Sequence, residues 1–251
     1  MGPTKAITRK MGKAYVDCVS CHPKRHTIDL TRAKEQHSTY CSTLADLGLE
    51  VATLPADESH PDACFVEDTV VVRGRRALVC RAGAESRRGE ETAVEQFLQD
   101  YLTTRRAEAP ATVEGGDVVH FEGRLLSGVS QRTNAEGVRQ MGDWLEAPVD
   151  TIVDPEIMHL KSYVTYLGRN TVVANRRYAS HPTLADLDVV VVPPDEAYAA
   201  DTLTIDDTVL MPSSCPKAHD LVRRAGFRVV QLDMSEIEKC DGAMTCLSVL
   251  F

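Results

Sequence analysis

The chain has 251 residues, 43% of them hydrophobic, which is enough apolar material for a sizeable core in one large domain or two small ones. A formal net charge of -9, from 37 acidic and 28 basic residues, disfavours a nucleic-acid partner. No apolar run is long enough to suggest a membrane span, and the N-terminal stretch lacks the hydrophobic centre of a signal peptide. We therefore expect a soluble, cytoplasmic protein with no membrane partner.

Short β-branched runs that are typical of strands alternate with helical patterns along the chain. The predicted strands, in chain order, are residues 50–54, 65–72, 76–80, 117–121, 124–130, 170–175, 188–193, 207–212, 228–233 and 246–251. The predicted helices are residues 31–47, 87–102, 134–146 and 216–226. Strand pairs followed by a helix and a further strand indicate an α/β or α+β chain. The continuous pattern favours one domain over residues 1–251.

The order of elements recurs at a loose period of roughly fifty residues, which hints at internal repetition. An open doubly wound sheet would give a similar pattern, and the propensities alone leave both architectures open.

The eight cysteines are irregularly spaced, and in a chain without an export signal they are expected to be free thiols. The stretch CVSCH at residues 18–22 matches the attachment pattern of c-type haem, and Cys18, Cys21 and His22 could also begin a zinc site. Haem attachment normally requires export, and zinc would need further ligands. A polar, cationic loop is the preferred interpretation.

Two adjacent carboxylates, Glu67 and Asp68, fall within the predicted strand at residues 65–72. Neighbouring strand residues point to opposite faces, so at least one of the two carboxylates points inward unless this is an edge strand with both acids in water. An inward carboxylate needs a cationic partner.

The segment TVEGGDV at residues 112–118 places Glu114 and Asp117 around two glycines at the mouth of a predicted strand. Glycine permits backbone angles that other residues avoid, so a tight turn can aim a carboxylate from this position. An ordinary loop would have the same composition.

Three cationic or titratable side chains also stand out. His159 has apolar neighbours on both sides and is by itself typical of a structural histidine. Arg87, with Arg88, begins a predicted helix, where cations oppose the helix dipole, and Arg132 directly follows a strand. A planar guanidinium at either place suits the capture of a carboxylate, and a surface salt bridge would explain it equally well.

Six motifs in this order resemble the dimethylarginine dimethylaminohydrolase family of the guanidine-modifying (pentein) superfamily. The resemblance extends from about residue 35 to the C-terminus, and it implies an α/β fold built as a five-bladed ββαβ propeller with a central substrate channel. The motifs are FVEDT (65–69), GAESRRGE (83–90), EGGD (114–117), SQRTNAEG (130–137), HLKS (159–162) and EKCDGAMTC (238–246).

The resemblance implies a catalytic set in which Cys246 is the nucleophile, His159 the general acid and base, and Glu114 the acid that orients the histidine. It also implies a substrate-binding set. Two carboxylates grip the guanidinium, two arginines hold the carboxylate of the amino acid, and three further residues line the pocket; they are Glu67 and Asp68, Arg87 and Arg132, and Asp62, Phe65 and Asp241.

The implied reaction is hydrolysis of an N-methylated L-arginine to citrulline and methylamine or dimethylamine, through a covalent S-alkylthiouronium on the cysteine. No metal or cofactor is expected, and the only partner implied is the small arginine derivative, in a monomer or homodimer. The alternatives are an arginine deiminase, which would release ammonia from arginine, and a non-catalytic pentein binding protein.

Residues 17–30 depart from the family pattern, because this segment is more cationic than the flexible lid that relatives carry there. We call residues 17–30 the lid segment. Its different composition leaves the preferred arginine derivative open. Zinc held by Cys246 with His159 would be an inhibitory alternative to zinc held in the lid segment.

Overall fold

The computed structural model describes residues 2–251, and its strands form five sheets of three strands each. The strands are β1 Lys5–Arg9, β2 Glu50–Leu54, β3 Val70–Arg73, β4 Arg76–Val79, β5 Thr103–Arg106, β6 Val118–His120, β7 Leu125–Val129, β8 Val149–Val153, β9 Val164–Gly168, β10 Thr171–Ala174, β11 Asp188–Val191, β12 Leu203–Ile205, β13 Thr208–Pro212, β14 Arg228–Leu232 and β15 Val249–Leu250. The helices are α1 Leu30–Asp46, α2 Glu91–Leu98, α3 Ala135–Leu145, α4 Pro216–Arg224 and α5 Ser235–Glu238.

Each sheet is one ββαβ unit, in which the middle strand pairs antiparallel with the strand before it and parallel with the strand after it. A helix makes the parallel crossover in every unit except β9–β10–β11, where the 3-10 turn Pro182–Leu184 takes its place. The remaining unit joins the two ends of the described chain, because β1 pairs antiparallel with β15 and parallel with β2. The predicted five-bladed propeller is confirmed.

The first strand of each unit faces the centre of the ring. These inner strands are β3, β6, β9, β12 and β15, and contacts join β15 to β3, β6 to β9 and β9 to β12. They enclose a cavity of about 500 Å³ whose lining includes Val71, His120, Tyr166, Leu203 and Val249. This cavity is the central channel that the resemblance implies.

Local sequence explains where the helices begin and how the blades pack. The Asp29 carboxylate accepts from the backbone N–H groups of Thr31 and Arg32 and caps α1, and the Asn134 side chain caps α3 in the same way. Apolar side chains from adjoining blades share clusters, such as the one that contains Leu126, Ile152 and Val172. Among residues 2–251, no helix combines the length and the apolar character needed to cross a membrane.

Several sequence-based boundaries are wrong. The predicted strand 65–72 is a 3-10 turn, Val66–Thr69, followed by β3, so Glu67 and Asp68 lie on a turn and both are buried. The predicted strand 246–251 contains only the two-residue β15, and Cys246 precedes it. Arg87 lies in a short turn before α2 and does not begin the helix.

The expectation of free thiols is wrong for two of the eight cysteines. Cys18 and Cys240 form a disulfide, with their Cα atoms 6.0 Å apart. The other six are free: Cys21, Cys41, Cys64, Cys80, Cys215 and Cys246. Because the sulfur of Cys18 is bonded to Cys240, the haem and zinc interpretations of residues 18–22 are wrong for this structure.

We expect Leu126→Ala to destabilise the protein by about 2–5 kcal/mol, because it removes a fully buried side chain between two blades and leaves a cavity. Urea unfolding followed by circular dichroism measures the loss. Val153→Ala is the matched control in the same blade, since Val153 is 70% exposed and should cost less than about 0.5 kcal/mol. Equal losses for the two variants would contradict this account of the core.

Candidate active site

The candidate site lies where the chain enters the inner strands. Three short 3-10 turns, Val66–Thr69, Gly115–Asp117 and Leu160–Ser162, precede β3, β6 and β9 and contact one another at the same level of the ring. Because each blade repeats the same path, its turn delivers side chains to the same place. Residues that are far apart in sequence therefore meet at one end of the channel.

A histidine and two carboxylates form the centre of the site. The His159 Nε2 atom lies 2.7 Å from Glu114 Oε2 and 3.7 Å from Asp68 Oδ1. Gly116 makes this approach possible, since a Cβ atom there would lie 2.8 Å from both the His159 ring and the Asp68 carboxylate. The Gly116 N–H also donates to Asp68 Oδ1 at 2.9 Å, and the Gly83 N–H donates to Glu114 Oε1 at 2.9 Å.

These carboxylates decide the charge of the histidine. Burial alone would lower the pKa of His159, but the negative charges of Asp68 and Glu114, together with the Glu114 hydrogen bond, raise that pKa to about 9. Burial also opposes the charge of Asp68, yet His159 and Arg87 outweigh it and lower the pKa of Asp68 to about 2. At neutral pH His159 is therefore an imidazolium that lies between the ionised carboxylates of Asp68 and Glu114. In this form His159 can donate a proton.

A second group of side chains surrounds Glu67. The Lys161 Nζ atom donates to Glu67 Oε1 at 2.6 Å, and the Thr245 hydroxyl donates to Glu67 Oε2 at 2.7 Å. Burial is the larger influence and raises the pKa of Glu67, while Lys161 lowers it. The same three residues line the end of the central cavity, whereas Cys246 and His159 do not. The Glu67 group thus lies between the cavity and the end of the channel that holds Cys246 and His159.

Cys246 follows Thr245 directly and lies beside the carboxylates. The Glu67 N–H donates to the Cys246 carbonyl oxygen at 3.2 Å, and the Ala243 N–H donates to Cys246 Sγ at 3.4 Å. Burial and the carboxylates of Asp201, Glu67 and Asp68 raise the pKa of the Cys246 thiol well above its ordinary value. The sulfur is therefore a thiol at neutral pH until positive charge arrives beside it.

The two predicted carboxylate-binding arginines differ in their surroundings. The Arg87 guanidinium is buried, donates to Asp68 Oδ2 at 2.6 Å and to Glu90 Oε2 at 2.7 Å, and also contacts backbone carbonyls. Arg132 makes fewer polar contacts than Arg87. Its Nη1 atom is 3.6 Å from Glu114 Oε1, and this buried nitrogen has no hydrogen-bond partner. Of the two, Arg132 has the donor that remains available for an incoming anion.

The predicted pocket residues lie at the outer edge of the site, against the lid segment. Asp62 and Phe65 accept from Arg87 through their backbone carbonyls, and the Phe65 ring packs against Gly242. Asp241 is not in contact with the central carboxylates, and its side chain instead accepts from the backbone of the lid segment. The structure thus brings together ten predicted residues in two layers, an inner catalytic layer and an outer layer beneath the lid segment.

Four contributors to the site were not among the predicted site residues: Lys161, Thr245, Asp201 and Asp117. The Asp201 carboxylate accepts from the Thr245 N–H at 3.0 Å, and burial, followed by repulsion from Glu67, raises the pKa of Asp201 to about 7. Asp117 Oδ1 accepts from the Leu160 N–H at 2.9 Å, next to His159. A repeated Asp-Thr pair before inner strands, at 68–69 and 201–202, was the available signal for Asp201.

Asp68, Glu114 and His159 also present oxygen and nitrogen atoms within 4.8 Å of one another, which is a spacing that could hold a metal ion. An ion there would have to displace the Arg87 contact to Asp68 and bind a neutral imidazole, while the carboxylates favour the imidazolium. The arrangement fits proton transfer better than metal binding.

Comparison with known proteins agrees with this geometry. The family model described as N,N dimethylarginine dimethylhydrolase, eukaryotic, matches residues 14–157. The chain is 38% identical to the N(G),N(G)-dimethylarginine dimethylaminohydrolase of Pseudomonas aeruginosa over 228 residues, which cover 89% of this chain and 90% of that protein.

Two solved structures have nearly the same fold. A cysteine-to-serine mutant of the Pseudomonas aeruginosa dimethylarginine dimethylaminohydrolase in complex with citrulline matches all of both chains, with a TM-score of 0.95 and 35% identity. A histidine-to-glycine mutant of a dimethylarginine dimethylaminohydrolase, an adduct with S-methyl-L-thiocitrulline, covers 99% of this chain and 100% of its own, with a TM-score of 0.94 and 35% identity.

Glu114→Gln should lower the pKa of His159 from about 9 toward the ordinary value of about 6.5, because it removes one of the charges that stabilise the imidazolium. Titration of the imidazole nitrogens by NMR measures this pKa. Glu196→Gln is the control, since Glu196 is a buried carboxylate that accepts from the Lys217 and Ala218 N–H groups away from the site. An unchanged pKa in the Glu114 variant would show that the pair is not coupled.

Proposed function

Because this chain belongs to the dimethylarginine dimethylaminohydrolase family, we propose that it hydrolyses N-methylated L-arginine to citrulline and methylamine or dimethylamine. The observation that carries the proposal is a partly buried cysteine beside carboxylates that hold a histidine as imidazolium. This arrangement supplies a nucleophile, an acid and an anionic surface for a guanidinium.

Charged side chains of the site would bind the oppositely charged groups of the substrate. The guanidinium meets Glu67 and Asp68, which fix its plane for attack. Arg132 has an unpartnered buried nitrogen and suits the substrate's carboxylate, while Arg87 is predicted to assist although it already contacts Asp68 and Glu90. Asp62 and Asp241 are anionic groups of the outer layer that suit the substrate's ammonium group.

Positive charge then activates the nucleophile. The raised pKa of Cys246 comes from burial and from nearby carboxylates. A bound guanidinium neutralises those carboxylates and also places a positive charge beside the sulfur, which compensates the burial of the thiolate. The Ala243 N–H stabilises the sulfur as it becomes a thiolate. Substrate binding is therefore coupled to release of the thiol proton to water, and the free site keeps the sulfur unreactive.

The chemistry proceeds in two steps. The Cys246 thiolate adds to the guanidinium carbon, His159 donates its proton to the methylated nitrogen, and that C–N bond breaks to release the amine. The S-alkylthiouronium that remains is attacked by water, whose proton passes to His159. The C–S bond then breaks, the sulfur takes the proton of the added hydroxyl group, and citrulline leaves with the thiol restored. Glu114 keeps the imidazole ring oriented throughout.

The remaining sequence-based expectations go with this proposal. We expect the cytoplasm as the compartment, a monomer or homodimer as the assembly, and no nucleic-acid partner. Zinc bound by Cys246 with His159 would compete with substrate.

Incubation with dimethylarginine should release citrulline, and Cys246→Ser should lower the rate by a factor on the order of 10³ or more, because an alcohol is a much weaker nucleophile than a thiolate. Colorimetric citrulline detection measures the rate with arginine, monomethylarginine, dimethylarginine and hydroxyarginine. Cys215→Ser, at a buried thiol in another cluster, is the control and should keep the wild-type rate.

Citrulline formed from arginine alone would move the assignment to an arginine deiminase. A folded protein that turns over none of the four compounds would favour the non-catalytic alternative.

2-Chloroacetamidine should alkylate Cys246 at pH 7 at least about tenfold faster than neutral 2-chloroacetamide, because only the amidinium compensates the carboxylates that raise the thiol's pKa. Peptide mass spectrometry measures both rates. The rate with the neutral reagent should climb as pH rises above the usual thiol range near 8.5, since deprotonation then limits it. Equal rates at pH 7 would contradict substrate-assisted activation.

A further inference from the structure

The lid segment is attached to one stretch of chain, residues 236–241, that leads to the nucleophile. At the end of the lid segment, the Asp29 N–H donates to Glu236 Oε2 at 2.9 Å. Two residues earlier, the Thr27 carbonyl accepts from Lys239 Nζ at 2.9 Å. This end therefore has no covalent attachment and is held by these hydrogen bonds and by the packing of Ile28 against the core.

At the start of the lid segment the attachment is covalent. The disulfide joins Cys18 to Cys240, and beside it the Ser20 hydroxyl donates to the Lys239 carbonyl at 2.9 Å. Val19, between them, is 50% exposed, so water competes for the polar contacts of this loop. The disulfide is the one bond here that water cannot replace.

The same few residues contact two predicted substrate-binding carboxylates. The Val19 N–H lies 3.2 Å from both carboxylate oxygens of Asp62, and the Cys21 N–H donates to Asp241 Oδ2 at 2.8 Å. Asp241 follows Cys240 directly and has a φ of 55°, a left-handed conformation that costs a non-glycine residue free energy. Its position therefore depends on the groups that hold it.

We propose that Cys18 and Cys240 are positioning residues for the substrate: their disulfide holds the lid backbone against Asp62 and Asp241, and so orients both carboxylates toward the amino-acid end of an arginine derivative. This inference rests on the proposed function and adds a redox dependence to it. The disulfide contributes to substrate binding, while the chemical step at Cys246 proceeds without it.

The dependence can be switched by a phosphine reductant. Tris(2-carboxyethyl)phosphine gives two electrons to the disulfide, the Cys18–Cys240 bond breaks, and each sulfur takes one proton from water. The phosphine takes the remaining oxygen and becomes a phosphine oxide. Cys246 is already a free thiol and is unchanged by this treatment.

We expect reduction to raise the KM for dimethylarginine about tenfold and to change kcat less than about threefold, because the lid contacts must then be ordered at the expense of substrate binding. The double variant C18S/C240S should have the same high KM and no response to the phosphine. Cys21→Ser is the matched control, since its exposed thiol lies in the same loop outside the disulfide, and its KM should still respond.

Two readouts separate this inference from the proposed reaction. Amide hydrogen exchange at Val19 and Cys21 should be protected in the oxidised protein and fast in the reduced one, whether or not citrulline forms. Alkylation of Cys246 by 2-chloroacetamidine, which has no amino-acid end, should change less than about threefold on reduction.

Equal KM values and equal exchange in both redox states would overturn the inference and leave the reaction intact. Much faster alkylation after reduction would also overturn it, because the disulfide would then be a barrier to entry. Failure to form citrulline in either state, with exchange still redox-dependent, would instead contradict the proposed substrate.

Discussion

The arrangement of this protein depends on the cost of burying several carboxylates at one end of a channel. Glu67, Asp68 and Glu114 are each less than 8% exposed, and an isolated buried carboxylate would cost several kcal/mol. Each is instead matched with a cation from another turn or blade: Lys161, Arg87 and His159, respectively. The ion pairs therefore fix the relative positions of the turns.

The same compensation sets the protonation states on which the chemistry depends. Asp68 acts on both groups: with Glu114 it stabilises the imidazolium of His159, and with Asp201 and Glu67 it raises the pKa of the Cys246 thiol, so nearby carboxylates keep both the acid and the nucleophile protonated. A bound guanidinium changes the pKa of the Cys246 thiol more than the pKa of His159, because in the proposed complex it lies between the sulfur and the carboxylates. The Cys246 sulfur is therefore reactive only while a cationic substrate is bound beside it.

The sequence predicted correctly those elements that are determined by residues close together along the chain. Helix caps and β-branched runs located α1, α3, α4 and the outer strands β2, β11 and β14, because these signals act over a few residues. The strands β1, β5, β8, β9 and β12 were not predicted; in β5 and β8, exposed polar residues hide the alternation. The turn at Glu67 was mistaken for a strand because its acids contact partners nearly a hundred residues away.

The site was recovered only where whole motifs could be compared with a family. His159 and Cys246 look like structural residues in isolation, and nothing near them in sequence identifies the carboxylates that they face. The Cys18–Cys240 disulfide spans 222 residues and could not be deduced from the spacing of eight cysteines. The carboxylates of Asp201 and Asp117 accept from the backbone N–H groups of Thr245 and Leu160, and no role was predicted for either, although Asp117 belongs to the EGGD motif.

The pairing of β1 with β15 has a consequence for the order of events during folding. Ala6 pairs with Leu250, so this blade can form only when nearly the entire described chain has been brought together. Contacts between such distant residues carry a large loop-closure entropy and form late. The carboxylates and His159 can be assembled by three of the four blades that precede this closure, whereas the nucleophile reaches its place with the last strand. Catalytic competence should thus lag behind the growth of secondary structure, and an incompletely closed ring would bind cations without reacting with them.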